Sequence, residues 1–189
     1  MERMDKPLAD DARSRRVVLV SHCILNANAK VEGLSVYAGV HPLVGELAAL
    51  GIGIIQMPCA EFAGCGMKRW GQTREQYEHP SFLALCEGYA DEAYRQVLEY
   101  RRCGYDVLGV VGIEGSPTCG VTRSASGDWG GEPASWDAVV ATAGASPEPG
   151  VHIAALQARL APLGIRFTAI DESIEGHRVG EVIAALTRD

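Results

Sequence analysis

Four short apolar runs punctuate the chain, Val17–Ser21, Ile52–Met57, Val107–Ile113 and Ile165–Ile170, and the first three carry no charged residue. Runs of this length without polar alternation predict strands covered by helices on both faces. Between them the spacing changes to steps of three and four. Pro42 opens a segment with Leu43, Val44, Leu47 and Leu50 on one face, and Gly51 closes it. Phe82, Cys86, Tyr89, Ala93, Val97 and Tyr100 mark a long amphipathic helix over Pro80–Arg102, with Gly104 beyond its end. Further helices are predicted near Val151–Leu163 and Val179–Leu186. Strand and helix thus alternate, which predicts an α/β fold: a single Rossmann-like domain over 17–189 whose mostly parallel sheet has about four to five strands flanked by helices. The charged segment Met1–Arg16 reads as a flexible N-terminal tail. From Val121 to Gly150 the pattern lapses into Gly, Ser, Pro, Asp and Glu around Trp129 and Trp136, which predicts a long loop at 121–150.

Composition narrows the classes. The 189 residues carry a formal charge of -7 and no Lys/Arg stripe, which argues against a nucleic-acid duplex as partner. No apolar segment reaches signal-peptide or membrane-spanning length, so a cytoplasmic protein without a membrane partner is expected. In a reducing compartment the six cysteines read as ligands, catalysts or core residues rather than disulfides. The first strand runs into Ser21-His22-Cys23 with no G-x-G-x-x-G turn, and Gly127–Gly131 lacks a P-loop lysine, so nucleotide binding is rejected.

Three of the thiols follow predicted strands. Cys23 comes after the first, Cys59 or Cys65 after the second, Cys119 after the third. In an open parallel sheet all strand C-termini share one edge, so these distant cysteines meet there and form a candidate metal or cluster site. The segments read S-H-C, then P-C-A-E-F-A-G-C-G, then G-S-P-T-C-G. Glycine and proline beside Cys65 and Cys119 permit turns whose backbone amides face a thiolate cluster.

These segments resemble the motifs of the thiouracil desulfidase family, in which an early Cys, a C-P-E-x-x-G-G type segment and an S-P-S-C-G segment recur in this order. The likeness covers roughly Ser21 to Arg123. It implies a [4Fe-4S] cluster held by only three cysteines, corresponding to Cys23, Cys65 and Cys119, with Cys59 as the alternative second ligand. It also implies an acidic catalytic residue at Glu61 and a catalytic serine at Ser116. The chain departs from the pattern in three places. Asn26–Gly33 stands where a C-R-Y-D-G type element is usual, C-A-E replaces C-P-E, and Met67-Lys68-Arg69-Trp70 replaces a closing P-R. On this reading a divergent family member removes sulfur from a thiolated pyrimidine or other small thiocarbonyl compound. An iron with an open position takes the soft sulfur, Glu61 serves the attacking water as base and later proton donor, and no net electrons move.

Two other classes use the same thiols: an iron–sulfur or zinc-binding sensor or carrier, and a metal-free thiol enzyme with Cys59 or Cys65 as nucleophile. Cys59 is equally a candidate persulfide carrier. Cys86 and Cys103 are read as packing residues. His22 and Asn26 are read as structural neighbours of Cys23, and Lys68 and Arg69 as solvated charges or a substrate-anion site. Trp129 and Trp136 are candidates either for a lid that stacks on a heterocycle or for packing the long loop against the body.

Overall fold

A computed structural model describes residues 11–127, 129–131, 135, 137–138 and 143–188. Four parallel strands, β1 (Arg16–Ser21), β2 (Gly53–Met57), β3 (Asp106–Ile113) and β6 (Phe167–Ile170), form one sheet in the order β2-β1-β3-β6. β1 therefore lies inside the sheet, with Leu19 opposite Ile55 on one side and Val110 on the other. That explains its continuous apolar run, since Val18, Leu19 and Val20 are fully buried.

Strand side chains alternate between the two faces, and each face has its own core. Leu19, Met57 and Val110 meet Ala90, Ala93 and Val97 of helix α5 (Pro80–Arg102) and Ile153, Leu156 and Leu160 of α6 (Val151–Leu160). On the other face Val18, Val20, Val111 and Ile170 meet Leu43 and Leu47 of α2 (Leu43–Ala49) and Val182 and Leu186 of α7 (Val179–Thr187). The predicted architecture is thus the observed one, with four strands in its sheet. The predicted helix over 151–163 is an α-helix to Leu160 followed by a 3₁₀ turn at Ala161–Leu163, where Pro162 lacks the amide that would extend the α pattern.

Two features depart from the sequence reading. Short helices α1 (His22–Leu25), α3 (Ala60–Cys65) and α4 (Arg74–Tyr77) lie where no element was predicted. They are too short to show a periodic pattern, so periodicity misses them. The segment 121–150 is not loop throughout: β4 (Ser124–Ser126) pairs antiparallel with β5 (Gly144–Ser146). This ribbon is clamped to α4, because Thr73 Oγ1 donates to the Gly127 carbonyl at 2.9 Å and the Gly127 amide donates to Glu75 at 3.0 Å. Most of the predicted tail, residues 1–10, and Trp136 lie outside the described residues. No helix among the described residues is long and apolar enough to cross a membrane.

Candidate functional site

β1, β2 and β3 all end at one sheet edge, and each hands the chain to a cysteine. Cys23 sits in α1 directly after β1, its carbonyl accepting from the Tyr37 hydroxyl at 3.0 Å. Cys59 is the N-cap of α3, where its sulfur accepts the Phe62 amide at 3.3 Å. That bond uses a donor that a helix start leaves without an intrahelical partner. Cys119 ends a tight return after β3. The Ile113 amide donates to the Cys119 carbonyl at 2.9 Å, and Ser116 Oγ accepts the Cys119 amide at 3.0 Å.

The return admits no bulk. A Cβ at Gly120 would stand 2.0 Å from the Arg123 carbonyl oxygen, and one at Gly112 would stand 2.3 Å from that of Cys119. The Pro117 and Thr118 carbonyls accept the amides of Val151, His152 and Ile153 at 3.0 Å each, so the same loop satisfies the start of α6. The G-S-P-T-C-G segment is therefore fixed from both sides.

The thiols interact. Cys23 and Cys59 face one another and share a hydrogen bond, which with burial raises the Cys23 pKa and, against burial, lowers that of Cys59. Burial and the nearby Cys59 charge push Cys119 up to about 12, against the buried Ser21 hydroxyl beside it. Cys65 lies elsewhere, exposed at the far end of α3 near Glu61 and Arg69. The structure thus groups Cys59, rather than Cys65, with Cys23 and Cys119.

Glu61 is buried between these thiols and two further partners. Its Oε1 accepts from Thr118 Oγ1 at 2.6 Å and its Oε2 from Arg69 Nε at 3.0 Å. Arg69 is 5% exposed and spends its other donors on the Ala29 and Gly66 carbonyls, at 2.6 and 3.1 Å. It is a buried clamp and not the solvated charge that its loop position predicted. Glu61 and Ser116 both line a cavity of about 510 Å³, together with Cys23, Arg69, Tyr77 and Trp129. Across it Lys30 pairs with Glu172, both side chains largely buried, and the ammonium lies 4.7 Å from the Tyr37 ring centroid.

The remaining candidates fall outside. His22 Nδ1 meets Gln56 Nε2 at 3.0 Å, and Asn26 caps the 3₁₀ turn Ala27–Ala29. Lys68 is exposed. Cys86 is buried in a core cluster as expected, but Cys103, the residue that caps the end of α5, is exposed. Thr118, Tyr77 and the Lys30–Glu172 pair escaped the sequence reading. Only Thr118 had a signal there, its place inside the third cysteine segment.

A cluster fits this donor set on chemical grounds. Burial and the neighbouring thiols hold Cys23 and Cys119 protonated, and a cationic metal group beside the three sulfurs would remove that penalty. No group of three His, Cys, Asp or Glu side chains among the described residues is placed to hold a single metal ion.

No family model matches the chain. An uncharacterized protein of Methanocaldococcus jannaschii, MJ0003, is 34% identical over 113 residues, which cover 59% of this chain and 72% of that protein. Among solved structures, the [4Fe-4S]-dependent thiouracil desulfidase TudS superposes with a TM-score of 0.51 at 19% identity, covering 91% of this chain and 98% of the other. The chain belongs to one family with the MJ0003 protein, and its fold is that of the thiouracil desulfidase, the group its cysteine segments resemble.

Proposed function

We propose that this protein is a [4Fe-4S]-dependent desulfidase that hydrolyses a thiolated pyrimidine or a similar small thiocarbonyl compound. Thiocarbonyl and water become carbonyl and hydrogen sulfide, with no change of oxidation state. The observation that carries the reading is the grouping of Cys23, Cys59 and Cys119 with Glu61, of which Cys23 and Glu61 line one cavity. In this proposal Cys59 takes the ligand position otherwise assigned to Cys65. The likeness to a structure described as a [4Fe-4S]-dependent thiouracil desulfidase supports it. So does the match of the chain's own segments to that family's motifs.

Cys23, Cys59 and Cys119 would hold the cluster, which would supply a Lewis-acidic iron for a soft sulfur. The rest is the work of the chain. Glu61 has about four acceptor lone-pair sites on its carboxylate, and Thr118 and Arg69 occupy two. A site on each oxygen is free to orient water and take its proton, and the same carboxyl returns a proton to the departing sulfur. Arg69 fixes the carboxylate from behind, so that the proton acceptor does not rotate away from the cavity. Ser116 acts by holding the Cys119 amide, which keeps the third thiol at its station.

The test is anaerobic reconstitution with iron and sulfide, followed by incubation with thiouracil. A brown protein that releases sulfide, with Glu61→Ala keeping the colour and losing the release, supports the proposal. An iron-free, colourless product would overturn it.

A further inference from the structure

One hydroxyl at the cavity has nothing to bond. Tyr77 is 1% exposed, lines the same cavity as Cys23 and Glu61, and its hydroxyl oxygen is buried without a hydrogen-bond partner. Buried hydroxyls are rarely left so, because the unmade bond costs more than a made one gains. Neighbouring groups do not compete for it. Each Glu61 oxygen bonds another group, Thr118 or Arg69, and Ser116 Oγ accepts the Cys119 amide, so none of these bonds the Tyr77 hydroxyl.

The ring has little freedom to find another partner. It packs on Phe82 with centroids 4.6 Å apart, inside a core cluster with Ala60 and Cys86. Its helix is fixed at several points: a capping box joins Thr73 and Gln76, Gln76 Nε2 donates to the Trp129 carbonyl at 3.3 Å, and Arg74 Nε donates to the Pro149 carbonyl at 3.0 Å. Rigid backing of this kind suits a group that orients a ligand.

We propose that the Tyr77 hydroxyl is a positioning and specificity residue that donates a hydrogen bond to a neutral heteroatom acceptor, a carbonyl oxygen or ring nitrogen, of the heterocycle bound in this cavity. The inference rests on the desulfidase reading and extends it to how the ring is held. The charges on the wall favour a neutral acceptor over a phosphate or carboxylate. Glu61 is itself anionic and adjacent, while the cations Arg69 and Lys30 are already paired with Glu61 and Glu172. A site with an uncommitted buried donor rejects analogues that lack the matching acceptor, since binding them leaves that donor unpaired.

The experiment compares the reconstituted wild type with Tyr77→Phe, which removes the oxygen and keeps the ring. Uracil serves as a calorimetric probe and thiouracil as substrate. The expected result is about tenfold weaker uracil binding and about tenfold higher KM, with kcat largely retained. The thermal midpoint should be unchanged or raised, because an unpartnered oxygen has gone. Equal uracil affinity and equal KM in the variant overturn the assignment. A lowered midpoint with unchanged affinity also overturns it and leaves Tyr77 a packing residue. Should the wild type neither bind uracil nor release sulfide, the desulfidase reading itself fails, an outcome distinct from a variant that merely matches an active wild type.

Discussion

The two ends of helix α3 meet opposite surroundings. Cys59 caps its start, buried beside Cys23 and holding the Phe62 amide, while Cys65 closes it in the open. Glu61 faces inward one residue into the helix, and Phe62, directly after it, is 44% exposed. The start of α3 follows β2 at the sheet edge, so anything there points at its neighbours after β1 and β3. By the last residue the helix has risen roughly 9 Å and left the edge behind. The lesson is that distance along a short helix decides membership of the site more firmly than residue type does.

Exchanging the two cysteines is the strongest way to break this contrast. Cys59→Ala should lower iron and acid-labile sulfide per chain after reconstitution by at least about tenfold, whereas Cys65→Ala should keep both. Reversal of these results would return the second ligand position to Cys65. The next largest effect concerns the carboxylate. Glu61→Ala strands the Arg69 guanidinium, which is almost wholly buried, and should cost about 3 kcal/mol in urea unfolding. Phe62→Ala, on the outward side, should cost less than about 1 kcal/mol by the same measurement.

Titration sharpens the comparison further. In iron-free protein the Cys23 hydrogen bond and the Phe62 amide favour the Cys59 thiolate, while burial and the Glu61 charge raise Cys65 above the ordinary 9.0. Alkylation of Cys59 by a small reagent should therefore gain its pH dependence below that of a free thiol, and alkylation of Cys65 above it. Linkage gives the same sign. A thiol ionised more readily in the folded state contributes stability that is complete above the unfolded value of 9.0 and is lost as pH falls through its lower folded value. The iron-free wild type should consequently gain stability with rising pH just below 9.0, and Cys59→Ala should lose that slope in urea titrations at successive pH values. The smallest expected effect is that of Cys65→Ser, whose unfolding midpoint should correspond to a change within about 0.5 kcal/mol.

Periodicity and end signals made the frame readable. The bounds of α5 follow directly from Pro80 at its start and Gly104 beyond its end, and the strands from apolar runs that a doubly covered sheet requires. The same logic brought Cys23 and Cys119 to one edge, because strand direction is fixed once crossovers are right-handed. The motif singled out Glu61, which the structure places at the cavity wall.

Which of two nearby cysteines faces the others was not legible, since both follow β2 and a six-residue helix leaves too few turns for a face to be read. Nor were Arg69 and Tyr77, whose roles depend on partners that come together only when the loops pack: Arg69 on Ala29 and Glu61, Tyr77 on a cavity walled by residues from 23 to 172. The chain by itself determined the layers and the edge at which its thiols collect, because burial periodicity is a local property. Tertiary packing alone decided which thiols meet and which hydroxyl is left without a partner, because a hydrogen bond belongs to two groups and sequence separation does not say which two will touch.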